Sequence, residues 1–170
     1  GKNALYIGCR DGYWSKKLMK KGYSVTSIDV DPKYMYAKKI DVNLGLPFDN
    51  ETFDIIWCSE VIEHLKNPKS SIEDMIRVAK NGGKIILTTP NSYFCLLRIF
   101  AFFGISPKKI QNPGHLHFFD LNSLKRILPP NAEVYGFFPY CILKWKIRHL
   151  LGILSPTFVI KINKNIKNER

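Results

Sequence analysis

Two glycines near the start of the chain mark a turn with the properties of a nucleotide-binding site. Gly8 ends a short apolar run and Gly12 precedes a stretch with helical spacing, which predicts a strand-to-helix turn. Glycine lets a ligand approach the backbone, and the first N–H groups of a helix have no partner within it. Asp29 ends the next apolar run, where a carboxylate can accept both hydroxyls of a ribose. The alternative is a tight turn beside a surface acid.

The spacing of the glycines argues against a nicotinamide dinucleotide as the ligand. That class of site uses Gly-x-Gly-x-x-Gly, whereas this turn has three residues between Gly8 and Gly12, with Arg10 in the middle. Binding of a pyrophosphate at this turn is therefore disfavoured.

Three histidines are candidates for a general base, namely His64, His115 and His117. His64 follows Glu60 by four residues, a spacing that allows both to share one helical face. The alternative for His64 is a capping or hydrogen-bonded histidine. His115 and His117 fall in a loop before a predicted helix, where ordinary loop packing is the alternative.

The cysteines indicate neither a metal centre nor a disulfide scaffold. Cys9, Cys58, Cys95 and Cys141 are far apart, without a Cys-x-x-Cys pair or a cysteine–histidine cluster at zinc spacing. They are interpreted as reduced thiols, and no metal ligands are predicted.

The sequence starts at Gly1, so its beginning is expected to be missing or trimmed. With no signal peptide and no apolar run of about 18 residues, the expected location is cytoplasmic.

Short apolar runs alternate with helical stretches in the first half, which predicts a parallel sheet with helices on both faces. The predicted strands are 4–7, 25–30, 40–42, 53–58 and 84–89, and the predicted helices are 13–21, 32–39 and 68–80. Pro32 suits the first turn of the second helix. Asn81-Gly82-Gly83 is expected to end the third helix through a left-handed cap.

The second half is less regular. It predicts a helix over 121–128, with Asp120 as its N-cap, and strands over 132–138 and 157–162. Between these strands, an apolar stripe at helical spacing predicts an amphipathic helix formed by Leu143, Ile147, Leu150, Leu151 and Leu154. The stripe either packs on the sheet or lies on a membrane interface. The aromatic segment 94–104 either lines a pocket for an apolar acceptor or fills the core.

Positive charge is concentrated in the second half. The chain of 170 residues has 26 basic and 14 acidic side chains, a net charge of +12. Residues 1–85 contribute 14 basic and 11 acidic side chains, whereas residues 86–170 contribute 12 and 3. Such an excess indicates an acidic partner, which is nucleic acid, an anionic membrane surface or a phosphorylated substrate.

Several further motifs follow the glycine turn in a characteristic order. They are Ser-Ile-Asp-Val-Asp-Pro (27–32), Asp-Val-Asn-Leu-Gly-Leu-Pro-Phe (41–48), the strand and loop 53–65, the segment 77–84 and Thr-Pro-Asn (89–91). With these motifs the sequence resembles class I S-adenosylmethionine-dependent methyltransferases, of the broad group that includes quinone-biosynthesis and small-molecule methyltransferases. The resemblance covers residues 4–91 and weakens towards about residue 163. Two departures are Arg10 in place of glycine and Asn81 in place of proline.

The resemblance implies a doubly wound, mainly parallel seven-stranded sheet with helices on both faces and an antiparallel last strand. One domain would span 1–170, with a cofactor-binding half (1–91) and a substrate-side half (92–170). The implied cofactor is S-adenosylmethionine. Its methionine end would be lined by Gly8, Cys9, Arg10, Asp11 and Gly12, and its ribose hydroxyls would be held by Asp29. Its adenine would lie near Val30, Asp41, Val42 and Asn43, and its sulfonium would lie above Ser59 and Glu60. Because a guanidinium would repel the sulfonium, Arg10 is expected to turn outward or to pair with Asp11.

The implied activity is methyl transfer to a small-molecule acceptor, with lipid- and sugar-linked acceptors among the options. Two alternatives remain open. The charge favours an RNA methyltransferase, but the sequence after the fourth strand is Cys58-Ser59-Glu60-Val61 rather than an Asn-Pro-Pro-aromatic motif. A non-catalytic protein that retains the fold and binds anionic membranes is the other alternative. The sequence makes no prediction of oligomeric state.

Overall fold

Eight strands form one sheet, in which the first strand lies near the middle. The computed structural model describes residues 2–105, 112–138 and 145–165. The strands are Lys2–Ile7 (β1), Tyr23–Asp29 (β2), Lys38–Lys39 (β3), Phe53–Ser59 (β4), Ala79–Pro90 (β5), Glu133–Phe138 (β6), Trp145–Ile147 (β7) and Thr157–Asn163 (β8). Their order across the sheet is β3-β2-β1-β4-β5-β8-β6-β7.

The pairing of β1 determines where a ligand can bind. β1 runs parallel to β2 on one side and to β4 on the other, so that Ile7 lies beside both Ile28 and Cys58. The strand order therefore reverses at β1, with β2 and β3 on one side and β4 and β5 on the other. Ligands of such sheets bind in the crevice at the carboxyl ends of the strands at this point. β8 is antiparallel to β5 and β6. The predicted fold class, including the antiparallel last strand, is confirmed, with eight strands instead of seven.

Helices cover both faces of the sheet. They are Tyr13–Lys20 (α1), Pro68–Val78 (α2), Cys95–Phe102 (α3), Leu121–Ile127 (α4) and Leu151–Leu154 (α5), with 3₁₀ turns at Val42–Leu44 and Ile62–His64. α1 packs on one face, where Trp14 stacks on Trp57 with ring centroids 5.3 Å apart. α2 packs on the other face, where Ile72 and Met75 join the buried cluster that contains Leu5. Within the described residues, none of the helices has the length and apolar character needed to cross a bilayer.

The predicted helix over 32–39 is wrong. The N–H groups of Lys33 and Tyr34 both donate to the carbonyl oxygen of Arg10, with N···O distances of 3.0 and 2.8 Å. These contacts hold the segment against the glycine turn, and its end forms the short strand β3 beside β2. Residues 40–42 do not form the predicted strand either, because Val42 begins a 3₁₀ turn. Tertiary hydrogen bonds have overridden the local helix signal of Pro32.

The helix predicted over 68–80 ends earlier, at Val78. Its last carbonyl groups are taken by the chain entering β4, since Thr52 donates its N–H to the carbonyl of Val78 at 2.9 Å. Asn81-Gly82-Gly83 lies within β5 instead of capping the helix. Between the pairs Phe53–Ala79 and Ile55–Lys84, β5 advances five residues while β4 advances two. The glycines therefore form an irregular bend in the strand.

The amphipathic helix predicted between the last strands is also wrong. Trp145–Ile147 forms β7, which pairs antiparallel with the end of β6 and supplies the eighth strand. Leu150 has φ = +53°, so a continuous helix cannot pass through it, and α5 covers only one turn. Leu143 lies outside the described residues. The helical spacing arose by chance from a strand, a turn and a short helix.

Arg77 of α2 anchors the loop that follows the 3₁₀ turn Val42–Leu44. Its guanidinium donates to the carbonyl oxygens of Leu46 (2.9 Å) and Phe48 (2.8 Å) and to Asn50 Oδ1 (2.9 Å). It also pairs with Asp74 at 2.6 Å, and Asp74 in turn accepts the N–H of Leu46. The planar fork of arginine suits this set of acceptors, which a lysine ammonium cannot reach together.

Arg77→Lys is expected to lower the free energy of unfolding by about 1–3 kcal/mol, because several hydrogen bonds of about 1 kcal/mol each are lost. Urea denaturation followed by circular dichroism measures this change. Arg126→Lys on α4, where the side chain is exposed, is the matched control and should change stability by less than about 0.5 kcal/mol. Equal effects of the two substitutions would contradict the anchoring role.

Candidate cofactor-binding site

A cleft of about 1120 Å³ opens at the carboxyl ends of β1, β2 and β4. Its walls contain every predicted cofactor-binding residue except Gly12, namely Gly8, Cys9, Arg10, Asp11, Asp29, Val30, Asp41, Val42, Asn43, Ser59 and Glu60. His64 and His115 also line the cleft, whereas His117 does not. Strand pairing therefore brings together most of the residues that the sequence singled out.

Gly8 and Cys9 fix the glycine turn against β2. Their N–H groups both donate to the carbonyl oxygen of Ile28, at 3.0 and 3.2 Å. Gly8 has φ = +77°, and a methyl group added there would overlap the side chain of Val61. Burial raises the pKa of the Cys9 thiol to about 11, with Asp29 as a secondary cause. The thiol is therefore protonated near neutral pH and is a poor nucleophile.

Gly12 lies below the cleft, at the start of α1. It has φ = +77°, and an added Cβ would lie 2.6 and 2.7 Å from Cδ2 and Cδ1 of Tyr34. Asp11 accepts the N–H of Tyr13 at 3.1 Å, which satisfies one of the free donors of the helix. The second glycine is thus required by packing under the turn and makes no contribution to the cleft wall.

Arg10 and Asp29 are joined through the backbone. The N–H of Arg10 donates to Asp29 Oδ2 at 2.8 Å, and the N–H of Asp31 donates to Asp29 Oδ1 at 2.9 Å. A carboxylate has about four lone pairs, so further donors can still bind Asp29. The side chain of Arg10 is exposed, and among the described residues it forms no ion pair with Asp11.

The far side of the cleft is formed by Val30 and the segment Asp41–Asn43. Val30 is 60% exposed and leaves an open apolar surface. Asp41 Oδ1 accepts both the backbone N–H and the side-chain amide of Asn43, each at 2.9 Å. Asn43 Oδ1 accepts the N–H of Lys66 at 2.8 Å. Asn43 therefore has a structural role in addition to its place in the wall.

Ser59 and Glu60 lie where β4 ends. The hydroxyl groups of Ser59 and Thr88 are 3.0 Å apart. Glu60 has φ = +54°, a conformation rare for residues other than glycine, and it lines the cleft. Partial desolvation there raises the pKa of this carboxyl group, while Thr88 and His64 oppose the shift. The expectation that Glu60 and His64 share a helical face is wrong, because the helical turn begins only at Ile62.

The three candidate histidines lie in two different environments. His64 Nδ1 lies 2.9 Å from the carbonyl oxygen of Gly114, and its ring contacts His115 edge to face with centroids 4.7 Å apart. His117 Nε2 lies 2.9 Å from the carbonyl oxygen of Leu65. His64 and His115 thus face the cleft together, whereas His117 holds its loop to the 3₁₀ turn.

Glu63 is a functional candidate that the sequence analysis missed. Its side chain is 1% exposed, and Oε2 accepts the hydroxyl of Thr89 at 3.1 Å. Oε1 is buried and has no hydrogen-bond partner among the described residues. Burial raises the pKa of this carboxyl group to about 8. The available signal was an acid next to His64 in the otherwise apolar run Val61-Ile62-Glu63-His64-Leu65, since a buried acid is rare without a partner.

Sequence comparison identifies a family and a relative that match a large part of the chain. The profile of a family described as a methyltransferase domain matches residues 1–131. A ubiquinone biosynthesis O-methyltransferase from Coxiella burnetii is 33% identical over 107 residues, which covers 55% of this chain and 46% of that protein. The chain thus spans about half the length of this relative.

Solved structures share the fold over almost the whole chain. A SAM-dependent methyltransferase from Thermotoga maritima, described as a possible histamine N-methyltransferase, has a TM-score of 0.74 at 15% identity and covers 97% of this chain and 83% of its own. A SAM-dependent methyltransferase from Archaeoglobus fulgidus has a TM-score of 0.71 at 17% identity, covering 96% of this chain and 86% of its own. At these identities the likeness establishes the fold and carries no information on substrate.

Proposed function

Because the chain belongs to the methyltransferase domain family, we propose that it transfers a methyl group from S-adenosylmethionine to a hydroxyl group of a small-molecule acceptor. The observation that carries this proposal is the convergence of the glycine turn, Asp29 and Asp41 on one cleft. The relative from Coxiella burnetii is named for ubiquinone biosynthesis, which favours a small-molecule acceptor over RNA.

The residues of the cleft fit this cofactor. Asp29 has free lone pairs for two ribose hydroxyls, and the exposed side chain of Val30 can pack on an adenine ring. Gly8 lines the cleft, where its backbone can contact the methionine end. Ser59 and Glu60 line the same cleft and would hold the sulfonium end, where the carboxyl group of Glu60 could oppose the positive charge. When bound, S-adenosylmethionine supplies a methyl group on a sulfonium that is already a good leaving group.

The protein contributes mainly by holding the acceptor in line with that methyl group. Such positioning can lower a reaction barrier by roughly 7–11 kcal/mol. His64 and His115 line the cleft, and their imidazoles are candidates to bind an acceptor hydroxyl. His117 is absent from the cleft wall, and its ring is hydrogen-bonded to the carbonyl oxygen of Leu65, which supports a positioning role for it rather than a catalytic one.

The acceptor is proposed to carry an apolar portion. α3 follows Pro90, which lines the cleft, and large apolar side chains are exposed where the helix ends, with Phe102 87% and Phe103 72% exposed. The basic second half adds attraction for anionic groups. These features favour a lipid-linked acceptor met at an anionic membrane surface by a cytoplasmic protein. Arg148 pairs with Glu133 of β6 at 3.1 Å, so part of this positive charge is balanced by an acid of the same half.

Isothermal titration calorimetry with S-adenosylmethionine and S-adenosylhomocysteine tests the proposal. Both compounds are expected to bind one site per chain, with dissociation constants within the range of about 1 µM to 1 mM that is usual for enzyme ligands. Adenosine triphosphate is the control and should bind far more weakly, because the cleft lacks a pyrophosphate-binding glycine pattern. Failure of both sulfur compounds to bind at millimolar concentration would refute the proposed cofactor.

A further inference from the structure

Positive charge is scarce in the wall of the cleft. Its acidic side chains are Asp11, Asp29, Asp41, Glu60 and Glu63. Among the described residues of this wall, only Arg10 and Lys33 belong to the types that are always cationic near neutral pH. An anionic end of a ligand is therefore attracted to the place where Arg10 and Lys33 lie, and it gains little elsewhere in the cleft.

The backbone holds Arg10 and Lys33 side by side. The N–H groups of Lys33 and Tyr34 both donate to the carbonyl oxygen of Arg10, at 3.0 and 2.8 Å. The N–H of Arg10 in turn donates to Asp29 Oδ2 at 2.8 Å. The two basic residues therefore belong to the same end of the cleft, beside the carboxylate that is proposed to hold the ribose.

Neither of these two charges is used within the described part of the chain. The side chains of Arg10 and Lys33 are exposed, and neither takes part in an ion pair with another described residue. The neighbouring acid, Asp11, accepts the backbone N–H of Tyr13 instead. A guanidinium presents parallel N–H donors that match the two oxygens of a carboxylate. Both cations are thus available to a ligand.

The backbone of Arg10 has a conformation that favours glycine. Its φ is +44°, in the left-handed region where a Cβ is crowded by the neighbouring carbonyl oxygen. This is also the position at which the sequence departs from related methyltransferases, which have glycine there. Residues held in such conformations cluster at ligand-binding and active sites. The guanidinium is therefore the part of Arg10 from which a function is expected.

Tyr6 adds a hydrogen-bond donor close to the glycine turn. It is 5% exposed and lines the cleft, and its hydroxyl forms no hydrogen bond with any of the described residues. Burial raises the pKa of this hydroxyl, with Cys9 and Asp11 as secondary causes, so that it stays protonated and can donate. Polar groups of nearly buried side chains usually have a partner, which indicates a ligand with an acceptor atom here.

We propose that Arg10 and Lys33, together with the hydroxyl of Tyr6, bind the carboxylate at the amino acid end of S-adenosylmethionine. This inference rests on the proposed function and names the residues that recognise one end of its cofactor. The sulfonium repels a guanidinium, but the carboxylate of the same ligand attracts it. The ammonium group of that end can be matched by Asp11, which lines the cleft next to Arg10.

The charges of three ligands make the contact distinguishable from a structural role. S-adenosylhomocysteine has the carboxylate without the sulfonium charge, S-adenosylmethionine has both, and 5′-methylthioadenosine has neither. Arg10 should therefore strengthen binding of S-adenosylhomocysteine most, S-adenosylmethionine less and 5′-methylthioadenosine not at all. The side chain thus favours the product of methyl transfer over the methyl donor.

Calorimetric titration of the three ligands into the parent chain and Arg10→Gln tests this order. Arg10→Gln is expected to weaken S-adenosylhomocysteine about tenfold, S-adenosylmethionine about threefold and 5′-methylthioadenosine less than about twofold. Lys33→Gln should show the same order with smaller losses. High salt should weaken binding of S-adenosylhomocysteine to the parent more than to Arg10→Gln, because exposed charges are screened. Equal losses for the three ligands would overturn the assignment.

Two further variants control for charge and for folding. Lys20→Gln removes a positive charge from the exposed face of α1 outside the cleft and should bind all three ligands as the parent does. Arg10→Gly removes the guanidinium while relieving the backbone, because glycine adopts positive φ readily. It should have a higher thermal midpoint than Arg10→Gln and the same tenfold loss for S-adenosylhomocysteine, to within about twofold. Parent affinity in Arg10→Gly would contradict the contact.

The inference and the proposed function can fail separately. If the parent chain binds S-adenosylmethionine and S-adenosylhomocysteine and Arg10→Gln binds both equally well, the carboxylate contact is wrong and the cofactor stands. If none of the three ligands binds the parent at millimolar concentration, the proposed cofactor is wrong and the contact falls with it.

Discussion

Asp29→Ala is expected to weaken binding of S-adenosylmethionine by about 100-fold or more. The carboxylate is placed to accept two ribose hydroxyls, and hydrogen bonds to charged groups contribute about 1.5–3 kcal/mol each. A loss of about 3 kcal/mol corresponds to roughly a hundredfold change in dissociation constant. Calorimetric titration of the parent and variant chains measures the change.

The neighbouring acid provides the matched control for Asp29. Asp31 is exposed and outside the cleft, and only its backbone N–H bonds to Asp29. Asp31→Ala removes the same charge at nearly the same place while keeping that N–H. It should therefore leave the affinity within about twofold, corresponding to less than ~0.5 kcal/mol. Similar losses in both variants would mean that Asp29 acts through general electrostatics and makes no ribose contact.

Gly12→Ala is expected to lower the free energy of unfolding by about 2–5 kcal/mol. A left-handed conformation costs a residue with a Cβ roughly 1–2 kcal/mol. Overpacking of a tightly filled site adds about 1–3 kcal/mol, and the new methyl group would meet the ring of Tyr34. Since total stabilities are only about 5–15 kcal/mol, this change should be evident in urea denaturation.

Substitution of Gly22 separates the backbone cost of Gly12→Ala from its packing cost. Gly22 follows the other end of α1 with φ = +83°, and an added Cβ there would have no atom of the described part of the chain within 4 Å. Gly22→Ala should therefore show the backbone cost alone, about 1–2 kcal/mol. If Gly12→Ala were no worse than Gly22→Ala, the Tyr34 ring would be free to move, and the turn would be less rigid than its packing indicates.

Elements with strong local signals were predictable from the sequence. Ala4–Ile7 is an apolar run too short for a helix and lies within β1, and the following stretch forms α1 as expected. Asp120 is the N-cap of α4, where its Oδ1 accepts the N–H of Ser123 at 2.7 Å. In each case the residues that decide the structure lie within a few positions of one another, so that the pattern and the structure agree.

Elements decided by distant partners were not predictable in this way. Tyr34 is held by Arg10 and Gly12, and these contacts overrule the helix signal that begins at Pro32. The segment that begins at Trp145 became a strand because β6 offered an edge to pair with. The proximity of Glu63 and His115 depends on a loop folding back over the 3₁₀ turn, and no spacing rule encodes that distance.

The position of β8 determines when the chain can finish folding during its synthesis. β8 comes late in the sequence, yet it lies between β5 and β6 and pairs with β5 from Lys84 to Pro90. While the ribosome is still making residues 157–163, the edge of β5 and the β6–β7 hairpin have no partner in the sheet. Unpaired edges invite pairing with other chains, so a nascent or truncated chain that lacks β8 is prone to aggregation. Folding can therefore be completed only after almost the whole described chain has emerged.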